Sequence, residues 1–454
     1  METCQSENLK VLYDISILGR AHLDARSRTG IFRVVESVFA ELSYHKDILL
    51  LPTALHEKSG FWDNYAAQLY LSDQKPTYED SFVSFYPKKI PFYNARTSIQ
   101  KYLVRDSQKN RSIVSRASRY GISRGCKLFD KVSGVDRISA SIRPVINQSF
   151  YFESLNVYHS PFLSFPDTDF LPSKTKRVIT IYDLIPIKFP QFFTASQIDL
   201  VTRVLKKIDA KKDFVACISE STRNDFLEFL GNKIDPKQVC VTPLAASENF
   251  YPVRDKNLIE ATLSRYAIPS QSPYLLTLCT LEPRKNLKAV VSAFKRLVDG
   301  SKNLDLNLVL VGVKGWKNQD IFEEIAKTPG LESRIFFTGF IPDRDLSPIY
   351  SGAKAFIYPS LYEGFGLPPL EAMQCGVPVI TSNTSSLPEV VGDAGIMVSP
   401  NDIDELCQAI HRVLEDNSLR EALAVKSVQR SKEFSWAKCA DETVQLYKKA
   451  VSSN

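Results

Sequence analysis

The chain has 454 residues, of which 44% are hydrophobic and 24% charged, the balance of an ordinary globular protein. That length exceeds what one hydrophobic core usually serves, so two domains are expected. The net charge of +6 is modest, no apolar run reaches the about 20 residues of a bilayer span, and Met1–Lys10 lacks the apolar stretch of a secretory signal, so the expectation is a cytoplasmic protein.

Leu9–Ile15 reads as a first strand, followed by a polar loop rich in Arg, Ser and Asp and then Gly30. Ile31, Val34, Val35, Val38, Phe39 and Leu42 recur at helical spacing after it. Apolar runs at Ile48–Leu51, Leu155–Tyr158, Val178–Tyr182, Phe214–Ile218 and Val239–Val241 alternate, in their later part, with helical patterns at Ile198–Ile208 and Thr222–Leu230. Such alternation predicts a buried parallel sheet. From Thr242 to Ser272 the rhythm breaks at Pro243, Pro252 and Pro269, which marks a linker carrying a short helix over Leu258–Tyr266. A second alternation follows: strands at Leu275–Cys279, Leu306–Val311, Ile335–Phe337, Ala355–Tyr358 and Val377–Thr381, with a helix over Leu287–Val298. The fold class is therefore α/β, two Rossmann-like doubly wound parallel sheets facing a cleft. In such sheets ligands sit at the carboxyl ends of the strands.

Between Lys88 and Lys127 eleven Lys and Arg residues accompany a single acid, Asp106, interleaved with Tyr93, Tyr102 and Tyr120. A solvated basic insertion (about 76–145), attachment to an anionic membrane surface or lipid diphosphate, and nucleic-acid binding compete for this segment. No recognition module accompanies the charge, so nucleic acid is set aside. The eight cysteines, Cys4, Cys126, Cys217, Cys240, Cys279, Cys375, Cys407 and Cys439, form no C-x-x-C pair. They read as reduced, largely buried thiols, and no metal site is expected.

The most informative stretch is Pro359-Ser-Leu-Tyr-Glu-Gly-Phe-Gly-Leu-Pro-Pro-Leu-Glu-Ala-Met-Gln-Cys-Gly376. Pro368 and Pro369 suit the first turn of a helix, and Gly364 and Gly366 uncover backbone amides just ahead of it. Uncovered amides at a positive helix end suit a diphosphate. Glu363 in the loop and Glu371 in the helix are placed to accept from sugar or ribose hydroxyls. Glycines alone favour a surface loop with a capped helix and unrelated solvated acids; the ordered combination of strand, glycines, prolines and two spaced glutamates reverses that. In Glu282-Pro-Arg-Lys-Asn-Leu287, Arg284 and Lys285 stand at a strand's carboxyl end, where two cations can neutralise a departing diphosphate.

The first half holds weaker candidates. Gly30 permits close approach of a phosphate or sugar, or simply starts a helix. His159 ends a strand and is either functional or a satisfied core histidine. Asp183 meets an acceptor hydroxyl or caps the next turn, and Ser219 and Ser221 are helix-cap candidates.

Together these motifs resemble glycosyltransferase family 4, the retaining GT-B enzymes. The matching text is Thr280–Leu287, Gly339–Pro342, Pro359–Gly376, Pro378-Val-Ile and Ser386-Leu-Pro-Glu-Val, with Tyr158-His-Ser-Pro and Thr180-Ile-Tyr-Asp-Leu-Ile-Pro in the first half. The resemblance implies an acceptor-side domain at 1–250, a nucleotide-sugar domain at 251–435 and final helices, 436–454, that return to the first domain. It implies that Arg284 and Lys285 bind the donor diphosphate and that Gly364, Phe365, Gly366 and Leu367 contact diphosphate and sugar. It places Glu363 beside the transferred sugar and Glu371 at the nucleotide ribose. It further implies a metal-independent hexosyltransferase using a GDP- or UDP-linked donor, mannose slightly favoured, without a cofactor. The implied acceptor is a glycan or lipid-linked saccharide, with the enzyme peripheral on the inner face of the membrane. Relatives often carry His where this chain has Tyr182, so no role of that histidine transfers. An epimerase or phosphorylase, or a catalytically silent glycan-binding protein, are the alternatives.

Overall fold

The computed structural model describes residues 8–23, 30–55, 60–78, 81–83, 154–166, 171–300, 305–313 and 330–453. The basic segment 88–127, with Cys4 and Cys126, lies outside the described residues. Among those described, the strands form two parallel sheets of six. The first contains β1 (Leu9–Asp14), β2 (Ile48–Thr53), β3 (Val157–Ser160), β4 (Lys176–Ile181), β5 (Phe214–Cys217) and β6 (Val239–Val241), in the order β2-β1-β3-β4-β5-β6. The second contains β7 (Tyr274–Leu278), β8 (Asn307–Val311), β9 (Ile335–Gly339), β10 (Ala355–Tyr358), β11 (Val379–Ser382) and β12 (Ile396–Val398), in the order β12-β11-β10-β7-β8-β9.

The strands are continuous apolar runs because helices cover both faces of a parallel sheet. All residues of β8, β10 and β11 are buried. The helix Leu287–Gly300 shows the complementary pattern: Leu287, Ala289, Val290, Val291, Ala293, Phe294 and Leu297 are buried on one stripe. Truncating a side chain such as Phe294 there costs about 3–5 kcal/mol.

Two local expectations change. The loop after β1 is not wholly irregular, because Ser16–Leu23 is a helix that packs on the helix Gly60–Gln74. Asp14 ties the start of this helix to its surroundings: its buried carboxylate accepts from the amides of Ser16 and Leu55 and from the Tyr158 hydroxyl. The strand β12, three residues at the edge of its sheet, was not among the runs read from the sequence.

The chain forms two compact units. One comprises Met1–Thr180, Arg203–Phe214 and Val444–Asn454; the other comprises Ile181–Thr202 and Val215–Thr443. Among the described residues no helix is long and apolar enough to cross a membrane.

Candidate active site

In the second sheet the chain runs from β7 outward through β8 and β9, then returns to β10 on the other side of β7. The strand order therefore reverses between β7 and β10, and at such a point the loops leaving the two strands part and open a crevice. The loop after β7 carries Glu282, Arg284 and Lys285; the loop after β10 carries Glu363 to Gly366.

The two loops are fastened by their backbones. The Leu361 amide donates to the Arg284 carbonyl (2.9 Å), and the Ser360 hydroxyl donates to the same oxygen (3.1 Å). Asn286 takes a left-handed backbone conformation (φ 56°), tolerable for Asn, and its side-chain amide donates to the carbonyls of Pro359 (3.1 Å) and Pro400 (2.7 Å). The Ser386 hydroxyl donates to the carbonyls of Glu363 (3.0 Å) and Phe365 (2.6 Å), and the Glu363 amide donates to Ser385 Oγ (2.9 Å). Ser219 caps the helix Glu220–Leu230 by accepting from the Thr222 amide and also donates to the Gly364 carbonyl at 2.7 Å. Ser221 is not a side-chain cap: its amide, like that of Glu220, donates to the Glu389 carboxylate.

Gly364 is required by space. A Cβ there would stand 2.4 Å from the Tyr182 carbonyl oxygen and 3.0 Å from Asp183 Cβ. Gly366, at φ 121°, lies where side chains are disfavoured and forms the N-cap of the helix Leu367–Gln374 without any side-chain cap bond. Pro368 and Pro369 bring no N–H to that helix end, which confines its donors to the amides just before them.

On this frame the charged side chains converge. Arg284 Nη2 donates to Glu282 Oε1 (2.6 Å), while Nη1 donates to the Tyr362 carbonyl (2.6 Å) and pairs with Glu363 Oε2 (2.7 Å). Arg284 Nε is buried without a partner. Lys285 Nζ donates to Glu363 Oε1 (2.6 Å) and to the Tyr358 hydroxyl (2.8 Å), which itself donates to Glu363 Oε1 (2.9 Å). Burial alone would push the Glu363 carboxyl up, but Arg284 and Lys285 outweigh it and hold the group at about 2. Burial likewise disfavours the Arg284 charge, and Glu363 and Glu282 overcome that, raising its pKa. Asp183 is half-buried beside the cluster; burial pushes its carboxyl up, opposed by Arg284 and by the Ile185 amide, which donates to it at 3.0 Å. It caps the turn, as one of its two readings required, and it also stands in the field of the cluster.

Arg284, Lys285, Glu363 and Asp183 are thus gathered, with Gly364 packed against Asp183. Glu371 is held differently. It is buried in the helix Leu367–Gln374, where Oε2 accepts from the Tyr350 hydroxyl (3.1 Å). Leu367 begins that helix, and Phe365 is buried edge-on against Phe434. Gly30 is the first residue of the helix Gly30–Tyr44, and a Cβ there would meet nothing within 4 Å.

His159 lies apart from this cluster. It belongs to the other unit, is 1% exposed, and has both ring nitrogens engaged, Nδ1 with the Tyr447 hydroxyl (2.6 Å) and Nε2 with Thr180 Oγ1 (2.9 Å). Burial lowers its pKa to about 3, so the ring is neutral at ordinary pH. It is the satisfied core histidine, with no nitrogen left to serve a reactant. Conversely, Tyr358 and Glu282 were not singled out by sequence. The signal was present only in position, Tyr358 closing an apolar strand and Glu282 standing two residues before Arg284.

Comparisons with known proteins bear on the family and the fold. The family model described as glycosyl transferases group 1 matches residues 259–430. The O-antigen chain mannosyltransferase B of Escherichia coli is 33% identical over 294 residues, 64% of this chain and 74% of that protein. The serotype-specific mannosyltransferase WbdA of Escherichia coli is 30% identical over 282 residues, 62% of this chain, which spans only 34% of that longer protein. Among solved structures, sucrose-phosphate synthase from Thermosynechococcus elongatus superposes with a TM-score of 0.60 at 19% identity, over 98% of this chain and 100% of that one. That likeness speaks to fold, two parallel sheets of the GT-B arrangement. The chain belongs to the glycosyl transferases group 1 family and is a hexosyl-transferring glycosyltransferase of GT-B fold.

Proposed function

We propose that this enzyme transfers a mannosyl residue, with retention at the anomeric carbon, from a nucleotide-diphosphate sugar to a glycan or lipid-linked saccharide in polysaccharide synthesis. The observation that carries the reading is the convergence of Arg284, Lys285, Glu363 and Asp183 at the strand-order reversal between β7 and β10. The mannosyl assignment draws on the E. coli relatives, both mannosyltransferases by name. GDP-mannose is the favoured donor.

In this mechanism Arg284 and Lys285 take the charge that develops on the departing diphosphate, with the open amides ahead of the helix Leu367–Gln374 assisting. Glu363 orients the transferred sugar, Glu371 holds the ribose, and Asp183 faces the acceptor. The leaving phosphate accepts the proton of the acceptor hydroxyl, so no protein nucleophile is required, and catalysis is positioning and charge stabilisation. No metal or organic cofactor enters. The basic segment 88–127 serves attachment to an anionic membrane or a lipid-diphosphate acceptor; equal sedimentation with neutral and anionic vesicles would remove that part.

The test is direct. Incubation with GDP-mannose, UDP-glucose and UDP-N-acetylglucosamine, with and without saccharide acceptors, is expected to yield an α-mannoside only with GDP-mannose and acceptor. Conversion of the sugar nucleotide without acceptor would favour an epimerase instead, and donor binding without turnover on any acceptor a silent binding protein.

A further inference from the structure

The two cations assigned to the donor diphosphate are already occupied. Glu363 spans both of them, one carboxylate oxygen on Arg284 at 2.7 Å and the other on Lys285 at 2.6 Å. Glu282 adds a second carboxylate on Arg284 at 2.6 Å. Two carboxylates thus face two cations, and the formal charges of the four side chains cancel. All four are at least 88% buried as side chains, so solvent screens little of this. A diphosphate arriving at this cluster meets no surplus positive charge from Arg284 and Lys285. It binds well only by taking the place of the anion already there.

The hydrogen bonds distinguish the two carboxylates. The Glu363 backbone is fixed at both polar atoms, its amide on Ser385 Oγ and its carbonyl under the Ser386 hydroxyl. Departure is therefore a side-chain rotation, not a loop movement. Both cations keep another partner after it: Arg284 stays on Glu282 and the Tyr362 carbonyl, and Lys285 stays on the Tyr358 hydroxyl. Glu282 is the worse candidate to leave, since it is 4% exposed and is the N-cap residue of the turn Pro283–Lys285 that carries Arg284, only two positions away.

We propose that Glu363 is the resident anion of the diphosphate site and that donor binding is an exchange, the diphosphate taking Arg284 and Lys285 while the released carboxylate turns to the sugar hydroxyls. The proposal rests on the donor-site reading above and adds to it an order of events. Glu363 then has two opposed effects, weakening the hold on a bare diphosphate and orienting the sugar for transfer.

Calorimetric titration with inorganic pyrophosphate separates them, using the full chain as wild type, Glu363→Gln, Glu363→Asp and Arg284→Ala. Glu363→Gln removes a competing charge at nearly constant shape, and its affinity for pyrophosphate is expected to rise about 10-fold, the scale of one charged hydrogen bond. Its sugar transfer is expected to fall. Because Glu363→Gln also leaves two buried cations short of an anion, Glu363→Asp serves as the second variant: it keeps the charge but withdraws it by one methylene, and a smaller rise is expected. Folded variants that bind pyrophosphate no more tightly than wild type, while Arg284→Ala loses binding, overturn the exchange and leave the donor site standing. Arg284→Ala binding as tightly as wild type overturns both.

Discussion

Replacing Arg284 with alanine removes the group on which the site's hydrogen bonds converge. Its guanidinium holds Glu282, Glu363 and the Tyr362 carbonyl, each within 2.7 Å, with only 12% of the side chain exposed. Deleting one partner of a buried ion pair costs about 3–5 kcal/mol, because the other charge stays behind without compensation. Lys285 remains on Glu363 at 2.6 Å, but buried Glu282 keeps no cation among the described residues, so the whole range of about 3–5 kcal/mol is the appropriate expectation. The catalytic effect is separate. If Arg284 stabilises the departing diphosphate, its loss lowers turnover by about 10²-fold or more, as for removal of an oxyanion-hole donor. Denaturant unfolding gives the first quantity, and release of nucleoside diphosphate at saturating donor, well below the unfolding midpoint, gives the second. A variant that loses stability but keeps kcat near wild type would reduce Arg284 to a structural counter-ion, and the catalytic assignment would have to be withdrawn.

Three further outcomes are expected. Glu371→Ala should weaken donor binding with a smaller effect on kcat, read as a KM increase; an unchanged KM would detach Glu371 from the donor. Gly364→Ala puts a Cβ 2.4 Å from the Tyr182 carbonyl, so the loop must shift, and both activity and thermal midpoint should fall; a variant indistinguishable from wild type would contradict the packing described. His159 is depressed from 6.5 to about 3 by burial, so the unfolded chain binds a proton that the folded chain refuses. Its contribution is complete above about pH 6.5 and is lost as pH falls toward 3. His159→Gln should flatten that acid limb in denaturation curves across pH while leaving kcat largely intact, and a collapse of kcat in a stable variant would return His159 to the chemistry.

The sheets, the helix Leu287–Gly300 and the motif-bearing loops were legible from the chain alone, because period and burial are coupled. A strand covered on both faces must be apolar throughout, and a helix lying on a sheet must carry one apolar stripe. Spacing likewise announced Glu363, Gly364 and Gly366 ahead of a helix. What remained hidden was pairing. Lys285 and Glu363 are 78 positions apart, Lys285 and Tyr358 73, and Glu389 caps the start of the helix Glu220–Leu230 from 168 positions away. Local pattern says nothing about such distances. They are set by the placement of β10 beside β7, which brings together the ends of strands separated in sequence by β8 and β9. For the same reason residue type pointed to two cations ready for a diphosphate, whereas only the tertiary structure decided that they are already neutralised by carboxylates from both loops. His159 shows the opposite side: its position at a strand end fitted a functional residue or a core histidine alike, and only the tertiary structure supplied Thr180 and Tyr447 as partners for its two ring nitrogens.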